Sequence, residues 1–164
     1  MKVVFLDIDG VLNVIPQGHD HYGAIFHPEF VENLRRLLHE TGAKLVISST
    51  WRHSGVVSMK EMWEARNLPG EIIGITPDLR WRVKEDAREP NEQDYVRGDE
   101  IQAWLDQHSQ VTNYVILDDD SDMLQSQRGN FVQTSNNINH PDCIDIGYGL
   151  TKTCTDRAIR ILNR

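Results

Sequence analysis

The sequence predicts an α/β fold built on a mainly parallel, five-stranded sheet. Two observations carry that prediction. Short apolar runs, rich in β-branched and aromatic residues, alternate with longer stretches of helical periodicity, as in chains built from βαβ units. The runs are apolar throughout rather than at every second residue, which fits strands covered on both faces. A third observation concerns function. Three of the runs stop abruptly at polar groups: Asp7 and Asp9 after residues 2–6, Ser48 and Ser49 after 43–47, Asp118 and Asp119 after 114–117. Ligands of parallel sheets bind beyond the carboxyl ends of the strands, so these groups are expected to meet.

The elements follow in order. Residues 2–6 form the first strand. Residues 13–27 hold Pro16, Gly18, Gly23 and three histidines and read as a loop. His27-Pro28-Glu29 opens a helix, with proline suited to its first turn. Phe30, Val31, Leu34, Leu37 and Leu38 give it an apolar face, and Gly42 ends it. Residues 43–47 form the second strand, and a helix carrying Met59, Met62 and Trp63 follows. Pro69-Gly70 marks a turn into a third strand at 71–75. Residues 76–96 are polar, carry both charge signs and read as an excursion. A helix over 99–107 places Ile101, Trp104 and Leu105 on one side. The fourth strand is 114–117, the fifth 131–134, and a closing helix spans 151–162. No repeat interrupts the pattern, and residues 1–164 are expected to fold as a single domain.

Composition narrows the function. The formal net charge is −8, so the chain cannot hold a polyanion by bulk attraction. No apolar run approaches the ~20 residues that span a bilayer, and the start of the chain lacks a signal-peptide pattern. A cytoplasmic protein that avoids membranes is the expectation, with no obligatory protein partner evident. Cys143 and Cys154 are not spaced for a metal site and are expected to be reduced thiols.

Clustered acids set the chemistry. Asp7 and Asp9 lie two apart at a strand end, where alternate side chains share a side, and Gly10 allows a sharp turn. With Asp118 and Asp119 close by, each like-charged pair at ~4 Å costs roughly 4 kcal/mol at an effective dielectric of 20. Protonation or a bound cation relieves that cost. An all-oxygen set beside a phosphate suits Mg2+. A carboxylate can attack phosphorus itself, and a second one nearby can shuttle the proton. The rest of phosphoryl transfer is positioning and charge neutralisation. Ser49 and Thr50, at the start of a predicted helix, and the cation Arg97 fit that task.

These residues carry a resemblance. Phe5-Leu6-Asp7-Ile8-Asp9-Gly10-Val11-Leu12 resembles the first motif of the haloacid dehalogenase (HAD) superfamily. Leu45-Val46-Ile47-Ser48-Ser49 resembles its second motif, and Val115-Ile116-Leu117-Asp118-Asp119 its fourth. The resemblance implies a three-layer Rossmann-like fold and an Mg2+-dependent phosphatase working through an aspartyl-phosphate. It implies Asp7 as nucleophile and metal ligand, and Asp9 as general acid and base with its backbone carbonyl on the metal. Asp118 and Asp119 become further metal ligands. Ser49 becomes the phosphate-binding hydroxyl, or Ser48 if the strand stops earlier. The third motif departs from the superfamily's usual lysine: Arg97 of Arg97-Gly98-Asp99-Glu100-Ile101 takes the place, with Lys84 as second candidate. Ser49-Thr50-Trp51-Arg52 and the Arg97 segment are most similar to small HAD domains associated with RNA-repair proteins, and through them to the phosphatase domain of polynucleotide kinase-phosphatases.

Residues 13–27 are too few for a folded cap, and 53–96 are mostly used by a helix, a strand and a loop. The expected site has little or no cap and is open to a large phosphorylated substrate, such as a nucleic-acid end or a nucleotide. A small-metabolite phosphatase, nucleotidase or phosphotransferase is the first alternative, and a non-catalytic metal- or ligand-binding module the second. Trp51 is a candidate for stacking a base or for core packing, and Arg52 a candidate substrate contact. His19, Asp20 and His21 read as a solvated loop rather than a zinc site. Arg80, Trp81, Arg82 and Lys84 form a basic-aromatic cluster blunted by Glu85 and Asp86.

Overall fold

The computed structural model describes residues 1–14, 17–79, 94–135 and 147–164. The basic-aromatic cluster at 80–84, Lys84 with it, and Cys143 lie outside the described residues.

Apolar runs do become the inner strands. In chain order the elements are β1 (Lys2–Leu6), β2 (His19–Asp20), β3 (Gly23–Ala24), α1 (Pro28–Thr41), β4 (Lys44–Ile47), α2 (Gly55–Ala65), β5 (Ile72–Ile75), α3 (Arg97–Asp106), β6 (Asn113–Asp118), β7 (Phe131–Ser135), β8 (Gly147–Tyr148) and α4 (Lys152–Leu162). The sheet runs in the order β5-β4-β1-β6-β7-β8, and every pairing in it is parallel. Five longer strands match the predicted sheet. The two-residue β8 adds a sixth at the edge, too short for periodicity to reveal.

Both sheet faces are covered, as continuous apolar strands require. Val4, Leu6, Leu45, Ile47, Val115 and Leu117 pack with α1, α2 and α4 on one face. Val3, Phe5, Val46 and Ile116 pack with Ile101 and Trp104 of α3 on the other. The alternation along β1 sends successive side chains to opposite cores. Phe5 meets Trp104 and Tyr114 edge-on, with ring centroids 5.5 and 5.8 Å apart, a favoured aromatic geometry.

β1 sits between β4 and β6. The chain goes to one side of β1 first and to the other side later, so a topological switch lies at its carboxyl end, where open α/β sheets place their ligands. Backbone hydrogen bonds carry the register past the strand ends: Asp7 N–H donates to Leu117 O at 2.9 Å, and Ser48 N–H to Leu6 O at 3.0 Å. The three loaded ends are thereby set side by side.

One expectation is corrected outside the sheet. The stretch read as a loop contains an antiparallel hairpin of β2 and β3, pairing His19 with Ala24 and Asp20 with Gly23. Arg66, at the end of α2, holds Asp20 with two hydrogen bonds of 2.9 and 2.6 Å. Asp20 is thus committed to an ion pair.

Candidate active site

Asp7, Asp118 and Asp119 each turn a carboxylate oxygen into one spot, all within 4.8 Å of one another. Asp7 follows β1 and Asp118 ends β6, its hydrogen-bonded neighbour. Asp118 is fully buried and Asp7 is 6% exposed. Gly10 lets the fourth-motif acid in: a Cβ there would lie 2.2 Å from Asp119 Cγ, and its φ of +77° suits glycine.

Asp9 does not join that group. β1 ends at Leu6 and the chain at once folds back, which leaves Asp9 outside the group, although its charge adds to the rise that burial causes in the pKa of Asp7 and Asp119. Val11, Leu12 and Asn13 all donate backbone N–H groups to Ile8 O, at 3.2, 2.8 and 3.0 Å. This turn carries the exposed Asp9 carboxylate to the rim. There Asn13 Nδ2 donates to Oδ1 at 2.7 Å, and Trp51 Nε1 donates to Oδ2 at 2.9 Å.

The second strand end supplies Ser48 and Ser49, both buried. Ser49 hydrogen-bonds Asp7 and, as N-cap of a short 3-10 helix at Thr50–Ser54, accepts from Trp51 N–H at 3.4 Å. Ser48 Oγ has no partner among the described residues. Thr50 is exposed at the start of that short helix.

Arg97 opens α3, two residues earlier than the periodicity of the sequence predicts. Its position depends on Gly98, where a Cβ would lie 2.5 Å from Leu124 N. The glycine lets α3 dock on the segment after β6. Asp122 then accepts from Arg97 N–H at 3.0 Å, and Gln127 Nε2 donates to Gly98 O at 2.8 Å. The guanidinium of Arg97 reaches the floor: Nε lies 3.4 Å from Asp118 Oδ2, and another nitrogen donates to Ser48 O.

Residues 3–139 match the family described as the HAD domain in Swiss Army Knife RNA repair proteins. The chain belongs to this family. The match takes in all three loaded strand ends and the Arg97 segment. No curated protein matches the chain.

Electrostatics of this HAD domain follow from burial. Asp118 holds its proton well above the ordinary carboxyl range, first through burial and then through the charge of Asp7. Asp119 is pushed up to about 6 by burial and by Asp7. Asp7 is raised by burial, while Arg97 and the Ser49 hydrogen bond pull it back. Two buried carboxylates and the half-buried Asp119 against one arginine leave excess negative charge, which a cation among them would reverse. Asp118 Oδ2 is buried and accepts no hydrogen bond among the described residues, with Arg97 Nε 3.4 Å away. The donor set is therefore suited to a hard divalent ion.

Behind the floor lies a charge network that the motifs do not announce. Glu100 is 2% exposed and Arg52 3%. Arg52 donates to Glu100 at 2.6 Å and to the carbonyls of Ser48 and Ser49 at 2.7 and 3.0 Å. Glu100 also accepts from Leu79 N–H at 3.0 Å and lies 3.6 Å from Arg97. Arg52, a candidate substrate contact by sequence, is instead an internal strut that fixes the backbone of the second motif. The signal that could have found Glu100 is its place one helical turn from Arg97, where i and i+3 side chains meet.

Proposed function

We infer that this HAD domain is an Mg2+-dependent phosphomonoester hydrolase that works through an aspartyl-phosphate on Asp7. The observation that carries the reading is the meeting of Asp7, Asp118 and Asp119 with Arg97 and Ser49 at one sheet edge. Asp7, Asp118 and Asp119, with the backbone carbonyl of Asp9, would hold Mg2+, which when bound neutralises charge on the phosphoryl oxygens.

The chain's own groups do the rest. The Asp7 carboxylate attacks phosphorus as the bond to the leaving oxygen breaks, and Asp9 gives that oxygen a proton. Asp9 then takes a proton from a water that attacks the acyl-phosphate, releasing phosphate and restoring Asp7. Ser49 and Arg97 hold the phosphoryl oxygens throughout, with Thr50, next in the chain to Ser49, as a further hydroxyl for the task. Arg97 brings a planar fork where a lysine would bring a point charge.

The substrate we favour is a large phosphorylated molecule such as a nucleic-acid end. Among the described residues, the only structure added between the first two strand ends besides α1 is the short β2–β3 hairpin, which is too small for a folded cap. Trp51, which reaches Asp9, and the partly exposed Tyr22 line one pocket, aromatic groups suited to stacking on a base. The family description, which names RNA-repair proteins, points the same way. No described helix is long and apolar enough to cross a membrane.

The test is a panel of phosphorylated oligonucleotides, mononucleotides and sugar phosphates, with Mg2+ or with chelator, on the wild-type chain and Asp7→Asn. Oligonucleotide dephosphorylation that needs both Mg2+ and Asp7 is the expected result. Preference for sugar phosphates would overturn the substrate, and full activity of Asp7→Asn would overturn the mechanism.

A further inference from the structure

We propose that Trp51 is a positioning residue for Asp9: its indole N–H holds the rim carboxylate where the leaving oxygen departs. The proposal rests on the phosphatase reading above and goes beyond it, because nothing in the motif set gives Trp51 a role.

The geometry is specific. Asp9 sits on an exposed turn, where a carboxylate on its own would sample several rotamers. Two N–H donors fix it, Asn13 on one oxygen at 2.7 Å and Trp51 on the other at 2.9 Å. Each carboxylate oxygen can accept more than one hydrogen bond, so both can be engaged while one still exchanges a proton with substrate.

Trp51 is itself held from behind. Its ring packs on Phe26 at 5.5 Å between centroids and lies against the buried core. The Arg66 guanidinium stands 4.8 Å from the Phe26 ring and 5.9 Å from the Trp51 ring. Arg66 also grips Asp20 and donates to Gly23 O at 3.2 Å. At Gly23 the hairpin comes close to the indole: a Cβ there would lie 3.4 Å from its outer edge. The hairpin and α2 thus clamp the tryptophan that aims Asp9. A ring held only for packing would not need its one polar atom turned to a carboxylate.

The experiment compares two leaving groups. An alkyl phosphate leaves as an alkoxide that must be protonated, whereas a dinitrophenolate leaves unaided. kcat/KM reports the steps up to loss of the leaving group, the only ones in which it is present. Trp51→Phe is expected to lower kcat/KM about tenfold to a hundredfold more on an alkyl phosphate than on dinitrophenyl phosphate, the scale of one lost hydrogen bond to a charged group. In an Asp9→Asn background the same substitution is expected to cost no further selectivity, because the two act as a unit. Independently of activity, the Trp51 indole N–H resonance should move when Asp9 becomes Asn. Asn13→Ala removes the other donor and gives the same selective loss, which keeps the test in hand if Trp51→Phe does not fold. Equal losses on both esters, or an indole resonance indifferent to Asp9→Asn, would overturn the proposal while leaving the phosphatase reading standing. If the wild-type chain turns over only oligonucleotides, the same variants are compared on a 5′-phosphorylated oligonucleotide as the alkyl ester and on an oligonucleotide carrying a dinitrophenyl phosphate as the other; a wild-type chain inert toward all of these would remove both readings.

Discussion

Asp7 and Asp9 are two residues apart, yet one belongs to the floor of the site and the other to its rim. The floor is dry, crowded with carboxylates and short of positive charge. The rim is exposed, and the Asp9 carboxylate there is tied by two neutral N–H donors. One turn, closed on Ile8 O and passing through Gly10, makes the difference. Burial can concentrate charge for a metal and a nucleophile. A group that must exchange protons with water and with a leaving oxygen is better served at the edge. Adjacent positions in one motif can therefore have opposite physical surroundings.

The contrast can be broken most severely at Asp7. Asp7→Asn is predicted to cut turnover at least ~10⁴-fold, the scale of losing a nucleophile, while circular dichroism shows an intact fold. The strut behind the floor comes next. Glu100→Ala leaves Arg52 buried without its partner and is expected to cost about 3–5 kcal/mol in denaturant unfolding. A loss under about 1 kcal/mol would mean that the floor does not depend on this ion pair.

Removing a floor carboxyl should have the reverse effect on stability. Asp118→Asn replaces a carboxyl whose ionisation burial and the charge of Asp7 both oppose, so the chelator-treated protein should melt several degrees higher, at roughly 2–4 °C per kcal/mol for a chain of this size. The same variant should lose its stabilisation by Mg2+. Asp9→Asn, on the rim, should do neither.

The smallest effect expected is one of pH. Without metal, the folded state keeps a proton on Asp119 up to about 6, against an ordinary value of 3.8. Between those values it binds more protons than the unfolded chain, so stability falls as pH rises through that window. Asp7 and Asp118 are shifted in the same direction. Asp20, Glu71 and Asp156 are shifted the other way, but they are exposed and contribute little. The melting temperature in chelator should drop between pH about 4 and about 6, and Mg2+ should flatten that drop.

Much of this was legible in the sequence because topology does the placing. Once β1, β4 and β6 are neighbours, the residues that follow them must gather, and the meeting of Asp7 and Asp118 with the Ser48–Ser49 pair needed no further information, although the choice between the two serines did. Arg97 was legible as a cation at a helix start. The exposure of Asp9 was not, since it depends on where β1 gives way to the turn rather than on strand alternation. Arg52 and Glu100 are 48 residues apart, and no local pattern links a residue after β4 to one in α3. The hairpin at 19–24 escaped because two-residue strands have no period to read, and the Arg66–Asp20 pair that anchors it is again long-range.

The central claim is that the floor carboxylate of Asp7 becomes phosphorylated. Rapid acid quench of the Mg2+-loaded protein during turnover of a phosphate ester, followed by reduction with tritiated borohydride and peptide mapping, tests it directly: the hydride converts an aspartyl phosphate to homoserine and releases the phosphate. The account predicts tritiated homoserine in the peptide that holds Asp7, absent from Asp7→Asn and accumulating in Asp9→Asn, where the second step lacks its base. Turnover with no tritium on the chain, or tritium at any other residue, would contradict it.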